Sequence, residues 1–315
     1  MSSVHAYTSN KCLEHQLFPG FLEKPERLTA LLKEVFNKGS GFELHDQVAP
    51  ATARDLMTAH RASYVLRVAE LSRMNPVRAL FSQLGDRRLQ WYTRVSPGSY
   101  TAARYAAGAV LDAVGDVAVG AVSRAFCALR PPGHHAGPAR GEGFCLFNNV
   151  AIGALAARRA GFERVAIVDF DRHHGNGTEA IVAGQHDSGL LFISSYQEGC
   201  KYAGAAPRGN AIHVPIPQGG GSAAIARLYE ERVVPALKAY KPDLLMLSAG
   251  FDMHESDPLS SIKLKAADYE GLTRTLLQAA KPSTQGRVVS VMEGGYDRPA
   301  LVACVRHHLA ALGAG

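Results

Sequence analysis

Nothing in the 315 residues reads as a membrane segment or an export signal. A helix that crosses a bilayer needs about 18 or more uncharged apolar residues in a row. No such run occurs, and the stretch from Met1 to His15 is too polar for a signal peptide. These absences place the chain in the cytoplasm, without a membrane partner. The five cysteines, Cys12, Cys127, Cys145, Cys200 and Cys304, form no CxxC pair, and their odd number suits free thiols better than disulfides or a thiolate metal site. There is no GxSxG to carry a serine nucleophile, and Gly219-Gly220-Gly221-Ser222 lacks the lysine of a phosphate loop. The formal charge of +6 is spread over residues such as Arg87, Arg88, Arg158 and Arg159. With no basic block or aromatic-spaced motif, it reads as solvated surface and gives no specific nucleic-acid partner.

What remains is a mixture, 47% apolar and 20% charged, that suits one large globular α/β domain over 1–315. No linker, internal repeat or low-complexity tract divides it. From Pro25 to Val114 the apolar spacing, as in Leu28, Leu31, Leu32 and Val35, is mostly helical. Val95-Ser96-Pro97-Gly98-Ser99 interrupts that region before a long helix, with Ser99 as the expected N-cap. After Val122 short apolar runs alternate with amphipathic stretches, the pattern of βαβ units and a parallel sheet. Strands are expected at Ala125 to Leu129, Val165 to Asp169, Leu190 to Ser194, Ala211 to Val214, Leu244 to Ser248 and Val288 to Met292. Helices are expected at Asn149 to Ala160, Ala223 to Ala239, Ala266 to Ala280 and Ala300 to Leu312.

Four of these strands run into polar residues that a core would not choose, and in open parallel sheets the carboxyl ends of the strands share one crevice. The sharpest is Asp169-Phe170-Asp171-Arg172-His173-His174-Gly175-Asn176-Gly177-Thr178, whose alternation sends Asp169, Asp171 and His173 to one side. Carboxylate oxygen and imidazole nitrogen suit zinc, and a catalytic site takes three protein ligands and keeps one position open. Asp171 and His173 supply two. Asp257, in the loop Gly250 to Pro258, is the expected third, with Asp252, His254 and Glu255 as rivals in the same loop.

His134 and His135 follow Arg130-Pro131-Pro132-Gly133 on a stiff turn, where two imidazoles titrating near neutrality can serve as acid and base. In Glu293-Gly294-Gly295-Tyr296 the glycines permit a sharp turn that aims the phenol at a developing oxyanion. His307-His308 repeats the dipeptide on an ordinary terminal helix and is expected at the surface.

In this order the motifs, with Gly143-Phe144-Cys145-Leu146-Phe147-Asn148-Asn149 and Asp257-Pro258 between them, resemble the arginase/deacetylase superfamily, and within it the zinc branch of histone deacetylases and acetylpolyamine amidohydrolases. The resemblance runs from about Thr93 to Tyr296. It implies an α/β fold with about eight mostly parallel strands between helices, and one Zn2+ on Asp171, His173 and Asp257. It implies that His135 is the general base and then acid, that His134 is its electrostatic partner backed by Asp169, and that Tyr296 polarises the substrate carbonyl. Gly143, Phe144 and Tyr202 would line the acyl tunnel. A monovalent cation, K+, would sit beside the zinc near Asp169, Asp171, His173 and Ser194, and Arg27 matches an arginine of an inner channel. Asn176 stands where some members have Asp, the class II pattern, so His135 would lack a second carboxylate. Phe21-Leu22 replaces the usual His-Pro of the entrance loop.

The implied activity is hydrolysis of a linear N-acyl amide, with an acyl-lysine peptide or protein as substrate and a small acylated amine such as an acetylpolyamine as the alternative. The short segment ahead of Val95 and the positive charge favour the former. Arginase-like ureohydrolysis would need further metal-binding aspartates, and Gly175 stands where one is expected. A catalytically idle acyl-lysine-binding module is the reading from another class.

Overall fold

Runs such as Val165–Asp169, Leu244–Ala249 and Val288–Met292 are apolar at nearly every position and buried throughout, as strands covered on both faces must be. The computed structural model describes residues 4–17, 20–37, 41–185, 189–203 and 206–314. Its eight strands are β1 (His5–Tyr7), β2 (Glu43–His45), β3 (Arg124–Cys127), β4 (Val165–Asp169), β5 (Leu190–Gln197), β6 (Ala211–Ile216), β7 (Leu244–Ala249) and β8 (Val288–Met292). They form one sheet in the order β2-β1-β3-β8-β7-β4-β5-β6. Every pairing is parallel, so the sheet is wholly and not merely mostly parallel.

Six strands fall where the apolar runs predict them. The other two, β1 and β2, have three residues each, too short for an alternation signal, and extend the edge beside β3. Helices cover the faces. Ser99–Ala118 packs an alanine-rich side so closely that a Cβ on Gly108 would lie 1.9 Å from the Ala49 carbonyl oxygen. Its N-cap is Gly98, at φ 84°, and not Ser99. The Ser99 hydroxyl instead accepts from the Ser96 N–H (2.8 Å) and meets His15 Nδ1 (2.8 Å), tying the entry turn to the amino-terminal segment. The helix expected from Ala223 runs from Ser222 to Tyr240 through one wide π turn at Tyr229–Val233.

His308 departs from its expected surface position. It is fully buried, with Nδ1 on Thr273 Oγ1 (2.7 Å) and Nε2 on Ser290 Oγ (2.9 Å), while His307 stays half-exposed beside Glu270. Between β3 and β4, consecutive in the chain, the sheet inserts β8 and β7. The carboxyl ends of these four strands therefore converge on one crevice, the topological position that binds ligands in open α/β sheets. Among the described residues no helix is long and apolar enough to cross a membrane.

Candidate active site

Past Asp169 the chain leaves β4 in two successive turns, each closed by a carboxylate that accepts the N–H two residues on. Asp169 Oδ1 accepts from Asp171 N (3.0 Å) and Asp171 Oδ1 from His173 N (2.9 Å). These turns bring Asp171 and His173 to one side with Nδ1 and Oδ1 3.1 Å apart. Arg172 Nη1 takes the other imidazole nitrogen of His173 at 2.8 Å. From the end of β7, Asp252 Oδ2 comes to 3.1 Å from the same Nδ1. That oxygen is buried yet satisfies no hydrogen-bond geometry.

Asp171, His173 and Asp252 thus offer two oxygens and a nitrogen within 4.8 Å of one another. Two glycines clear the space. A Cβ on Gly250 would lie 2.2 Å from Asp171 Oδ2, and one on Gly294 would lie 2.5 Å from Asp171 Oδ2 and 2.7 Å from Asp252 Oδ2. Burial disfavours charge on His173, but the carboxylates of Asp171 and Asp252 hold it up at about 9. Two carboxylates, one of them with a buried oxygen outside any hydrogen bond, and an imidazole form a donor set that fits a divalent cation such as zinc.

Asp257, the expected third ligand, is not in this cluster. Its Oδ2 accepts from Tyr296 N (2.7 Å) and its Oδ1 from Leu259 N (3.0 Å), so both oxygens are committed to backbone N–H groups. Burial and the neighbouring charge of Asp252 push its carboxyl up to about 7. The rival Asp252 takes the place because it leaves β7 directly, three residues after the strand's end, whereas Asp257 secures the Tyr296 turn. His254 and Glu255 also lie outside the cluster.

The tandem histidines are pinned from below. Glu293 Oε2 accepts from Gly133 N (2.7 Å) and His134 N (3.1 Å), and Ser248 Oγ donates to Oε1 (3.1 Å). His134 Nδ1 meets Asp169 Oδ2 at 3.0 Å, and its Nε2 lies 3.8 Å from Asp171 Oδ1. His135 Nδ1 meets Asn176 Oδ1 at 2.7 Å, its ring 3.9 Å from that of His134. The environments push the two apart. Burial opposes a charge on His134, but Asp171 and Asp169 raise it well above the ordinary histidine value. Burial and the adjacent His134 and His173 drive His135 well below it. Such a split marks an acid and base pair with separate duties.

Tyr296 follows the Gly294-Gly295 turn, its ring 5.8 Å from Phe144 and 4.9 Å under the Arg27 guanidinium. Arg27 is no surface residue. It is fully buried and donates to Gly295 O (2.7 Å) and Glu293 O (2.6 Å), fastening the turn that carries the phenol. Gly143 (φ 53°) and Phe144 (φ 68°) share a left-handed turn, and Phe144 faces Phe21 at 6.4 Å. Tyr202 lies 4.2 Å over the His135 ring, and its hydroxyl meets Gln90 Oε1 (2.8 Å) and Tyr92 Oη (3.0 Å). Gln90, Tyr92 and Glu142 join the rim of the site without any motif in the sequence to mark them. Ser194 Oγ is held by His174 Nδ1 (3.0 Å) one strand away. A cavity of about 550 Å³ lies elsewhere, between Pro76, Leu80 and the Val95 to Gly98 turn, and includes none of these groups.

Comparison with known proteins is consistent across three kinds of match. The family model described as the histone deacetylase domain matches residues 21–312. The chain is 35% identical over 345 residues to the type-2 histone deacetylase 2 of Dictyostelium discoideum, covering 96% of this chain but 20% of that protein. It therefore spans about a fifth of that relative's length. It is 36% identical to the histone deacetylase-like amidohydrolase of Pseudomonas aeruginosa, covering 90% of this chain and 75% of the relative. The crystal structure of the HDA15 HD domain superposes with a TM-score of 0.86 at 30% identity, covering 99% of this chain and 88% of that one.

Proposed function

The chain belongs to the histone deacetylase family, and on that footing we propose that residues 1–315 act as one catalytic unit that hydrolyses N-acyl amides, with acyl-lysine of peptides or proteins as substrate. One zinc ion per chain is held by Asp171, His173 and Asp252. The observation that carries this reading is the meeting of those three donor groups, one oxygen of them orphaned, beneath two glycines and beside a histidine pair of opposite affinities for protons.

When bound, the ion supplies Lewis acidity to the acyl carbonyl and to a water. The chain supplies the rest. Asn176 holds the Nδ1 proton of His135 and leaves Nε2 as the base that takes the proton of the attacking water and then returns it to the departing amine. His134, between Asp169 and Asp171, keeps its charge and stabilises the negative charge that develops on the carbonyl oxygen. The Tyr296 hydroxyl donates to that oxygen, and Asp257 keeps the phenol's backbone in place. Gly143, Phe144 and Tyr202 wall the acyl chain. The K+ that the family resemblance implies would sit in the neighbourhood of Asp169 and Ser194.

The test is hydrolysis of acetyl-lysine peptides, longer acyl-lysines and acetylpolyamines with and without chelator. Turnover of peptides that is lost on chelation and restored by zinc supports the reading. A protein that binds acyl-lysine but never cleaves it would be the idle module, and preference for acetylpolyamines would transfer the substrate assignment. Zinc content separates the two aspartates: Asp252→Asn loses the metal, and Asp257→Asn keeps it.

A further inference from the structure

The missing second carboxylate of His135 has a substitute at one remove. Asn176, first residue of the helix Asn176–Ala183, faces His135 Nδ1 with Oδ1 at 2.7 Å and donates from Nδ2 to Glu142 Oε2 at 2.9 Å. An ionised carboxylate only accepts, so the amide nitrogen must face Glu142 and the amide oxygen must face the imidazole. The proton of a neutral His135 then sits on Nδ1 and leaves Nε2 bare, the form a general base requires.

Glu142 is itself fixed. Its side chain is 15% exposed, and its other oxygen lies 3.0 Å from Arg140 Nε. Its carbonyl closes a tight turn with Cys145 N (2.7 Å). That turn presses Gly143 onto the base, where a Cβ would lie 2.0 Å from His135 Cδ2.

We propose that Glu142 is a positioning residue for amide hydrolysis: its carboxylate holds the Asn176 amide in one of two orientations and so decides which nitrogen of His135 carries the proton. Released from Glu142, Asn176 can turn its NH2 towards the imidazole. That orientation favours the opposite tautomer, with the proton on Nε2 and no base facing the reaction. The inference rests on the amidohydrolase reading above, with His135 as base.

Three variants test it beside the wild type, with kcat, KM, zinc content and Tm measured for each. Glu142→Ala frees the amide and is expected to lower kcat about tenfold or more, the usual scale for a group behind a catalytic residue, with KM, zinc and Tm little changed. Asn176→Asp sets two carboxylates against each other and loses a similar factor. The double variant E142Q/N176D exchanges the partners, so that an amide at position 142 donates to a carboxylate at position 176, which still accepts from His135. It is expected to recover most of the loss, and it keeps the side-chain volume should Glu142→Ala fold poorly. Wild-type kcat in Glu142→Ala, or a double variant no better than Asn176→Asp, overturns the proposal. Nitrogen-15 NMR of the His135 imidazole reads the tautomer directly: Nδ1-protonated in the wild type, shifted towards Nε2 in Glu142→Ala. If the wild type cleaves no acyl amide, the hydrolytic reading falls, and an unchanged tautomer in Glu142→Ala would separately sink the role of Glu142.

Discussion

His60 makes acid lability a quantitative expectation. It is 3% exposed, and both ring nitrogens are committed: Nδ1 donates to Gly137 O (2.9 Å) and Nε2 accepts from Asn148 N (2.9 Å). Asn148 in turn caps the helix Asn149–Arg159 by accepting from Ala151 N (3.0 Å). A second proton on His60 would have to displace the Asn148 N–H and charge a buried ring. Burial accordingly pushes its pKa down from 6.5 to about 4, the bond to Gly137 O opposing only in part. Between those values the unfolded chain binds a proton that the folded chain does not, so stability rises with pH across the window and is lost as pH falls. At about 1.4 kcal/mol for each tenfold in proton affinity, the whole gap comes to about 3 kcal/mol, of which about 1.8 kcal/mol disappears between about pH 7 and pH 5. His60→Gln can donate and accept in the same two directions without titrating. Urea unfolding of both proteins at fixed metal concentration isolates the difference, because His15 and His308, also neutral through burial, cancel. The wild type should lose about 1.8 kcal/mol more than the variant over that range; parallel pH profiles would refute the argument.

Arg130→Ala strips the buried Glu23 of its two-pronged partner (2.9 and 2.7 Å) and should cost about 3 kcal/mol or more in chemical unfolding; a loss below about 1 kcal/mol would mean that Arg27 and His15 suffice. Gly250→Ala places a methyl 2.2 Å from Asp171 Oδ2 and should weaken zinc affinity about tenfold or more in chelator competition. Unchanged affinity would mean that the ion is not held there. Tyr296→Phe should keep zinc and fold but lower kcat about a hundredfold or more, and a fully active variant would remove the phenol from the reaction.

Much of the site was legible because its geometry is local. Asp169, Asp171 and His173 lie two residues apart at and just past the end of an apolar strand, and the tandem histidines follow a proline-stiffened turn, so each group's own segment places it at a strand end. The rim was not legible. Gln90, Tyr92 and Glu142 carry no periodicity or motif, and they acquire a role only through Tyr202, Gly143 and Asn176, residues far from them in sequence or across a turn. The edge strands are not legible for a different reason: three residues show no alternation, and β1 forms on the edge that β3 offers, β2 on the edge that β1 then offers.

The sequence by itself pointed to the class of fold, to six of the eight strands, and to two of the three donor groups of the proposed metal site, since the strands and those two donors follow from spacing along single segments. The third donor of the proposed site was decided only by tertiary structure. Asp252 and Asp257 share a loop and a chemistry, and what separates them is which backbone N–H groups the folded chain sets before each carboxylate. Tyr296 and Leu259 satisfy both oxygens of Asp257, while Asp252 Oδ2 makes no hydrogen bond and lies 3.1 Å from His173 Nδ1. A buried carboxylate oxygen outside any hydrogen bond is costly unless it is neutralised or set beside a cation, and that requirement is a property of the packed crevice and not of the loop.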